Sequence, residues 1–381
     1  MVTRFASESN RHLATDAGTE VAAGDGGWAY RPQLDGLRAL AVMAVAWSHW
    51  ERPYQYGLPF GAGVHLFYVL SGFLITGILL RLRELDDKRT ALTAFYIHRA
   101  LRILPAFYAA LLLAWLVDSA TADEILKWHA TFLTTVLIFS RAEWPGALSH
   151  FWSLAVEEQF YLVWPWLIVF APRHLLAALV AFAILAAPLW RLSLASAGYS
   201  ESLQGVLTLG SLDSLGVGAL LAVTRCRPNL LLCALAPRLA LWIAELLGAA
   251  LPPWLVVTKP LFQAAVFGWL VLRASDGFTG LAGRLLASRP VVYLGKISYG
   301  VYLIHGLSGD ILTAIFIAFG VTWPPSEPWR FVVICGSTIG FAALSWHVME
   351  RPINDLKRRY PYRAAAARDG SPRLSPAGIG P

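Results

Sequence analysis

The chain has 381 residues, of which 57% are hydrophobic and only 14% charged, and it carries 16 Trp. That is more apolar side chain than one soluble core absorbs, and it places the chain among polytopic membrane proteins. The net charge of +7 does not point to nucleic acid, because Lys and Arg cluster in short loops between apolar runs and form no continuous basic face.

Residues 1–33 are rich in Ala, Gly, Ser, Asp and Thr and hold no apolar run of signal-peptide length, so they read as a disordered cytoplasmic tail. Apolar runs of membrane length follow at about 34–50, 61–80, 102–117, 151–171, 175–190, 205–223, 230–251, 254–273, 293–319 and 329–349. A weaker run, 125–140, begins with Lys127 and His129. If it stays on one side as an interfacial or re-entrant helix, 22 Lys and Arg fall in loops on one side and 4 on the other. By the positive-inside rule this asymmetry predicts an all-α bundle of ten transmembrane helices with both termini in the cytoplasm. The membrane domain then spans 34–352, and the basic, Pro- and Gly-containing stretch 353–381 reads as a second disordered tail. No repeat of fixed period is present. Cys226, Cys233 and Cys335 lie without metal-ligand spacing, so neither a disulfide framework nor a metal site is expected.

The first run, Leu34 to Trp50, places Arg38 and His49 eleven residues apart in an otherwise apolar segment. On a helix those residues share one face, about 16 Å apart and only about 20° out of line. Ionisable groups inside a bilayer cost several kcal/mol unless they face protein or a wet cavity, which makes this stripe a functional candidate; a snorkelling Arg with an interfacial His is the plain alternative. The predicted topology puts Arg38 toward the cytoplasm and His49 in the outer half.

In the segment Ala94 to Tyr108, Arg99 and Arg102 stand three apart at the predicted cytoplasmic mouth of the third helix. Two guanidinium forks on one face can converge on a polyanion such as phosphate, although paired arginines at a helix end are also ordinary topology anchors. In His150 to Pro165, Glu157 and Glu158 sit among aromatic and aliphatic residues. Adjacent carboxylates point about 100° apart on a helix, so one can serve a reaction or pair with Arg38 while the other meets a neighbouring helix. Tyr161 lies one turn further along. In Gly295 to His305, Ser298, Tyr302 and His305 recur at spacings of four and three and form a polar seam suited to substrate binding or to interhelical hydrogen bonds. Glu350, Arg351 and Pro352 read as a helix stop, with Arg351 a further candidate for holding phosphate.

Taken together, LDGLRALAVMAVAWSH with its R-x10-H spacing, FYVLSGFLIT at 67–76, RALR at 99–102, FWSLAVEEQFYLVWP and ISYGVYLIH resemble the acyltransferase 3 family of integral membrane O-acyltransferases. The resemblance covers roughly residues 33–352. It implies transfer of an acyl group, usually acetyl, from cytoplasmic acyl-CoA to a hydroxyl of a glycan, a lipid-linked saccharide or a secreted glycoside or macrolide. It also implies that Arg38 and His49 are essential and that Arg99 and Arg102 grip the CoA phosphates. Some members carry an additional extracytoplasmic domain, and the thirty residues after Arg351 leave a two-stage relay dependent on a separate protein.

On this reading His49, Arg38, Glu157 and Glu158 are catalytic, Arg99, Arg102 and Arg351 bind acyl-CoA, and Tyr161, Ser298, Tyr302 and His305 bind the acceptor. Neutral imidazole suits a general base at working pH, and an acyl-imidazole on His49 is the alternative route. Arg38 is suited to stabilising a developing oxyanion or orienting the donor. Partners would be membrane lipid, acyl-CoA and a carbohydrate or glycoside, in the cytoplasmic membrane of a bacterium. The oligomeric state is left open, a homodimer being one option. A proton-coupled transporter or flippase of a lipid-linked sugar is the competing class, since intramembrane Arg, His and Glu suit it too.

Overall fold

The computed structural model describes residues 30–50, 60–117, 119–224, 230–320 and 328–362. Of the tails expected at 1–33 and 353–381, residues 1–29 and 363–381 lie outside the described residues, as do Cys226 and the side chain of Cys233. Residues 32–33 instead open the first helix, and 353–359 form helical turns. Among the described residues the secondary structure is helical throughout, without a strand. The protein is an all-helical, multi-pass membrane bundle.

Helix α1 covers Pro32–Trp50, and its first position holds the proline whose missing N–H costs nothing there. The Gln33 side chain accepts from the Phe278 amide at 2.6 Å and donates to the Phe278 carbonyl at 3.0 Å. Residues just before the apolar run are therefore tied into the fold. Helix α2 is Gly63–Leu82 and α3 is Lys88–Val117. The early start of α3 has a local cause: the Thr90 amide donates to Asp87 Oδ1 at 3.0 Å, an N-cap. Hydrogen bonds from Thr90 hold the Asp87 carboxyl below the usual carboxylate range. Consequently Arg99 and Arg102 sit three to four turns into α3. They are not at its mouth, as the apolar pattern suggested.

The weak run 125–140 is split between α4, Ser119–Ala130, and α5, Thr134–Arg141. Phe132 breaks it with a φ of 56°, and Gln159 clamps the bend by donating to the Phe132 carbonyl at 2.8 Å. Neither piece alone is long enough to cross a bilayer. Then come α6, Phe151–Phe170, and α7, Leu176–Ser196, followed by α8, Leu212–Thr224, α9, Leu230–Leu246, and α10, Lys259–Asp276. Helices α11, Arg289–Lys296, α12, Ser298–Ala318, and α13, Pro328–Ser345, complete the bundle.

Among the described residues six segments are long and apolar enough to cross a membrane: Gly63–Leu82, Lys88–Val117, Arg173–Ser196, Pro253–Asp276, Ser298–Ala318 and Trp329–Arg359. Helices α1 and α6 are of sufficient length but carry Asp35, Arg38 and His49, or Glu157, Glu158 and Gln159. The side chains that compose the candidate site are thus what lowers their apolarity.

Large apolar side chains such as Leu112, Leu162, Trp166, Phe182, Leu189 and Val348 point outward, whereas Asp35, His98, His150, Ser153, Arg191, Asp213, His305 and Glu350 are buried. This inversion of the soluble pattern is what a lipid environment selects. Helix α2 packs against α1, α6, α8 and α10 at the centre. Its approach to α8 depends on glycine: a Cβ at Gly72 would collide with the Leu215 carbonyl, and one at Gly218 with the Val69 carbonyl. Backbone cannot step aside as a rotamer can. Gly72→Ala is expected to cost about 1–3 kcal/mol by overpacking, read as a lower midpoint of thermal unfolding in detergent; an unchanged midpoint would show that the two helices can part freely.

Candidate functional site

Helices α1, α3, α6 and α12 enclose the ionisable groups, which fall into an inner and an outer cluster. In the inner cluster Arg38 donates to Asp35 Oδ1 at 3.0 Å, and the Arg38 side chain keeps 21% exposure. Asp35 is also the acceptor for the Tyr30 hydroxyl at 2.8 Å. The partner of Arg38 is thus an acid one turn away on α1, and the pairing with Glu157 is not formed as a contact. Glu157 instead accepts from the Tyr161 hydroxyl at 3.3 Å, while its charge interacts with those of Arg38, Arg99 and Arg102. Arg102 in turn feels both Arg38 and Arg99. Three guanidiniums from two helices therefore share one polar volume with the carboxylates of Asp35 and Glu157.

Tyr161 belongs to this inner cluster. Its hydroxyl meets Ser71 and Glu157, and the Arg99 guanidinium stands 5.7 Å from its ring centroid. Glu158 points elsewhere, as the 100° offset requires, and its buried Oε1 has no hydrogen-bond partner among the described residues. Arg351 is exposed. Its neighbour Glu350 is the inward group: a π-helical turn over Trp346–Glu350 rotates it inside, where it accepts from Ser345 at 2.9 Å and interacts with Arg102. Such turns re-aim one side chain against the helical repeat. Tyr299 ties α12 to α3 by donating to the Ile103 carbonyl at 2.9 Å.

The outer cluster is built on imidazole. The rings of His49 and His305 have centroids 4.9 Å apart, His150 and His305 4.4 Å, and His49 and His150 6.2 Å. Nδ1 of His49 lies 2.9 Å from the Val45 carbonyl and Nδ1 of His305 lies 2.6 Å from the Tyr302 carbonyl. A carbonyl only accepts, so in both rings Nδ1 carries the proton and Nε2 presents the lone pair. Trp50 closes over the cluster, its indole donating to the His305 carbonyl at 2.8 Å. Beneath it the Tyr302 hydroxyl donates to the His150 carbonyl at 2.6 Å and lies 2.5 Å from Ser153 Oγ, whose backbone carbonyl accepts from Tyr68 at 3.3 Å.

The seam expected on α12 is thus divided. Tyr302 and His305 join His49, whereas Ser298 lies at the start of the helix, about 10 Å from His305 at 1.5 Å per residue. Sequence reasoning missed His150, Asp35 and Glu350. A histidine directly before an apolar run that ends near the level of His49 was the available signal for the first of these. It also missed a separate buried network in which Arg191 pairs with Asp213 at 2.6 Å, the Ser214 amide donates to Asp213 Oδ1 at 2.8 Å, and His65 Nδ1 meets Ser214 Oγ at 2.9 Å. Among the described residues no group of His, Cys, Asp and Glu is placed to hold a metal ion. Trp50 and Trp152 pack into the interior beside the outer cluster.

Chemically, the inner cluster offers positive charge to an anion that reaches deep into the bundle, and the outer cluster offers two basic nitrogens. Both lie along α1, three helical turns apart.

A family model described as an acyltransferase domain, acyltransferase 3, matches residues 31–347. The chain is 30% identical over 360 residues to the peptidoglycan O-acetyltransferase OatA of Listeria monocytogenes, covering 85% of this chain and 56% of that protein. It is 28% identical over 368 residues to YrhL of Bacillus subtilis, named provisionally as a peptidoglycan O-acetyltransferase, covering 85% of this chain and 55% of that one. A protein of Staphylococcus aureus strain MSSA476, named provisionally as an O-acetyltransferase, is 35% identical over 158 residues, or 37% of this chain and 25% of its own length. The chain therefore spans about half the length of the first two. No solved structure matches it. With the family model covering most of the chain, the protein belongs to the acyltransferase 3 family.

Proposed function

We propose that the protein is a membrane O-acetyltransferase that moves an acetyl group from cytoplasmic acetyl-CoA to a hydroxyl of a peptidoglycan-type glycan outside the cytoplasmic membrane of a bacterium. The carrying observation is the alignment of two chemistries on one helix. Arg38, with Arg99 and Arg102, gathers positive charge at one level of α1, and His49 stands with two further imidazoles at the other end. Phosphates on the guanidiniums and an extended thiol arm along α1 would bring a thioester to the imidazoles. Relatives named as peptidoglycan O-acetyltransferases suggest the acceptor class. Nothing comparable favours the carrier alternative.

Ten crossings with cytoplasmic termini are part of the same proposal. Side-chain contacts join loops expected on one side. Arg173 pairs with Glu84, and His98 Nε2 bonds the Tyr360 carbonyl at 2.8 Å, on the inner side. On the outer side Lys259 bridges Glu201 at 2.5 Å and Glu245 at 2.7 Å.

The inner guanidiniums are tested by donor binding. CoA is expected to raise the unfolding temperature of the purified protein. Arg99→Ala and Arg102→Ala are each expected to weaken CoA by about tenfold to a hundredfold, since a charged hydrogen bond contributes roughly 1.5–3 kcal/mol. Arg102→Lys is expected to recover little of this, because a point charge does not replace the fork. A wild-type protein indifferent to CoA, combined with unaltered acetylation of envelope glycans in a deletion strain, would refute the proposed function.

A further inference from the structure

His305, which the sequence places only among the acceptor-binding residues, is a buried base. It is 1% exposed, its Nδ1 proton is committed to the Tyr302 carbonyl at 2.6 Å, and its Nε2 has no hydrogen-bond partner among the described residues. A buried polar nitrogen left in this state costs on the order of 1–3 kcal/mol and calls for a reason. The surroundings hold the ring rigidly in place. Trp50 donates to its carbonyl, His150 packs at 4.4 Å, and Tyr302 is fixed through His150 and Ser153.

The ring of His49 stands 4.9 Å away with the same tautomer. Acyl transfer to an alcohol has two demands, an atom to receive the acyl carbon and an atom to receive the hydroxyl proton. If one imidazole did both in succession, the second would be superfluous. The two rings meet edge to face, so an acceptor hydroxyl brought to the acyl group on one would arrive beside the other.

Building on the acyltransferase reading, we propose that His49 carries the acyl group and His305 is the second catalytic imidazole, the general base that deprotonates the acceptor hydroxyl. In the first half-reaction Nε2 of His49 attacks the thioester carbonyl carbon, the C–S bond breaks, and the CoA thiolate leaves and takes a proton from water. The Val45 carbonyl holds the Nδ1 proton of the resulting acyl-imidazolium. In the second, the acceptor oxygen attacks the acyl carbon while its proton passes to Nε2 of His305. The C–N bond breaks and its electron pair returns to Nε2 of His49. His305 then releases its proton to water, so that thioester and alcohol have become ester and thiol with no net proton.

The arrangement has a kinetic signature that a packing role lacks: loss of His305 should spare the first half-reaction and block the second. The experiment uses the full chain in detergent, isotopically labelled acetyl-CoA, solubilised peptidoglycan fragments as the acceptor probe, cold quenching and peptide mass spectrometry. In His305→Gln we expect one stoichiometric release of CoA, acetyl retained on the His49 peptide, and discharge to acceptor slowed by about a hundredfold or more. In His305→Ala, added imidazole is expected to restore discharge. In His49→Gln neither CoA release nor a labelled peptide is expected. CoA-dependent thermal stabilisation in each variant shows that it is folded.

Discharge by His305→Gln at the wild-type rate would overturn the assignment. So would a folded His305→Gln or His305→Ala that releases no CoA, since that places His305 in the first half-reaction or in packing. Absence of CoA release from the wild-type protein is a separate result that removes the acyltransferase reading itself.

Discussion

His49→Gln is expected to reduce acetyl transfer by about a thousandfold while leaving CoA binding close to that of the unaltered protein. The size follows from the loss of a positioned acid–base or nucleophilic group, typically 10²–10⁴ in rate. The selectivity follows from distance: eleven residues of helix separate His49 from Arg38, about 16 Å at 1.5 Å per residue, so the donor's phosphates meet none of what is removed. The substitution is mild structurally, because His49 is exposed at the end of α1 and its Nδ1 contact is to a carbonyl of its own helix. Initial rates and CoA-dependent melting on one preparation check both halves. A variant retaining a tenth of the activity would move the reactive group elsewhere in the imidazole cluster.

The largest stability effect is expected outside the site, at Arg191. Its side chain is 4% exposed, and that of Asp213 is 0% exposed. Arg191 spends three donors on the Asp213 carboxylate at 2.6 Å, the Val257 carbonyl at 2.9 Å and the Gly210 carbonyl at 2.5 Å. Arg191→Met strands a buried carboxylate and two carbonyls, for which roughly 3–5 kcal/mol is expected. Against a total stability of about 5–15 kcal/mol, little folded protein should be recoverable from membranes. The double variant Arg191→Met, Asp213→Leu removes both charges and should recover part of the loss, because a well-packed apolar pair can equal a buried ion pair. Thermal unfolding of the three proteins reads this directly. Equal damage in the single and double variants would assign the effect to the carbonyl contacts rather than to the unpaired charge.

Much of the bundle was legible before any coordinates. The ten apolar runs lie for most of their length on helices, because lipid leaves a backbone segment few alternatives to hydrogen-bonding itself. Arg38, His49, Arg99, Arg102, Glu157 and Tyr161 were recognisable individually, because an ionisable or polar group in an apolar run is expensive and therefore conspicuous. Less visible was how far a helix continues past its apolar part. Lys88 to His98 is polar enough to resemble a loop, yet the Asp87 cap and burial of Ala91, Leu92 and Phe95 extend α3 through it, which carries Arg99 and Arg102 into the interior. Glu350 was hidden for the opposite reason, since a π turn breaks the 100° repeat on which face assignments rest.

What the sequence by itself determined is the material and its axial order: an apolar bundle, and on α1 a cation and an imidazole three turns apart on one face. Those relations lie within single helices, where rise and rotation per residue are constants of the backbone. Only the tertiary structure decided that Asp35 and not Glu157 grips Arg38, that Tyr161 joins the arginines while Tyr302 and His305 join His49, and that His150 makes a third imidazole. Those meetings depend on how each helix is rotated about its own axis against its neighbours. That rotation is set by the packing of whole side-chain surfaces, down to a Cβ that Gly72 must lack, and no periodicity along one chain segment encodes it.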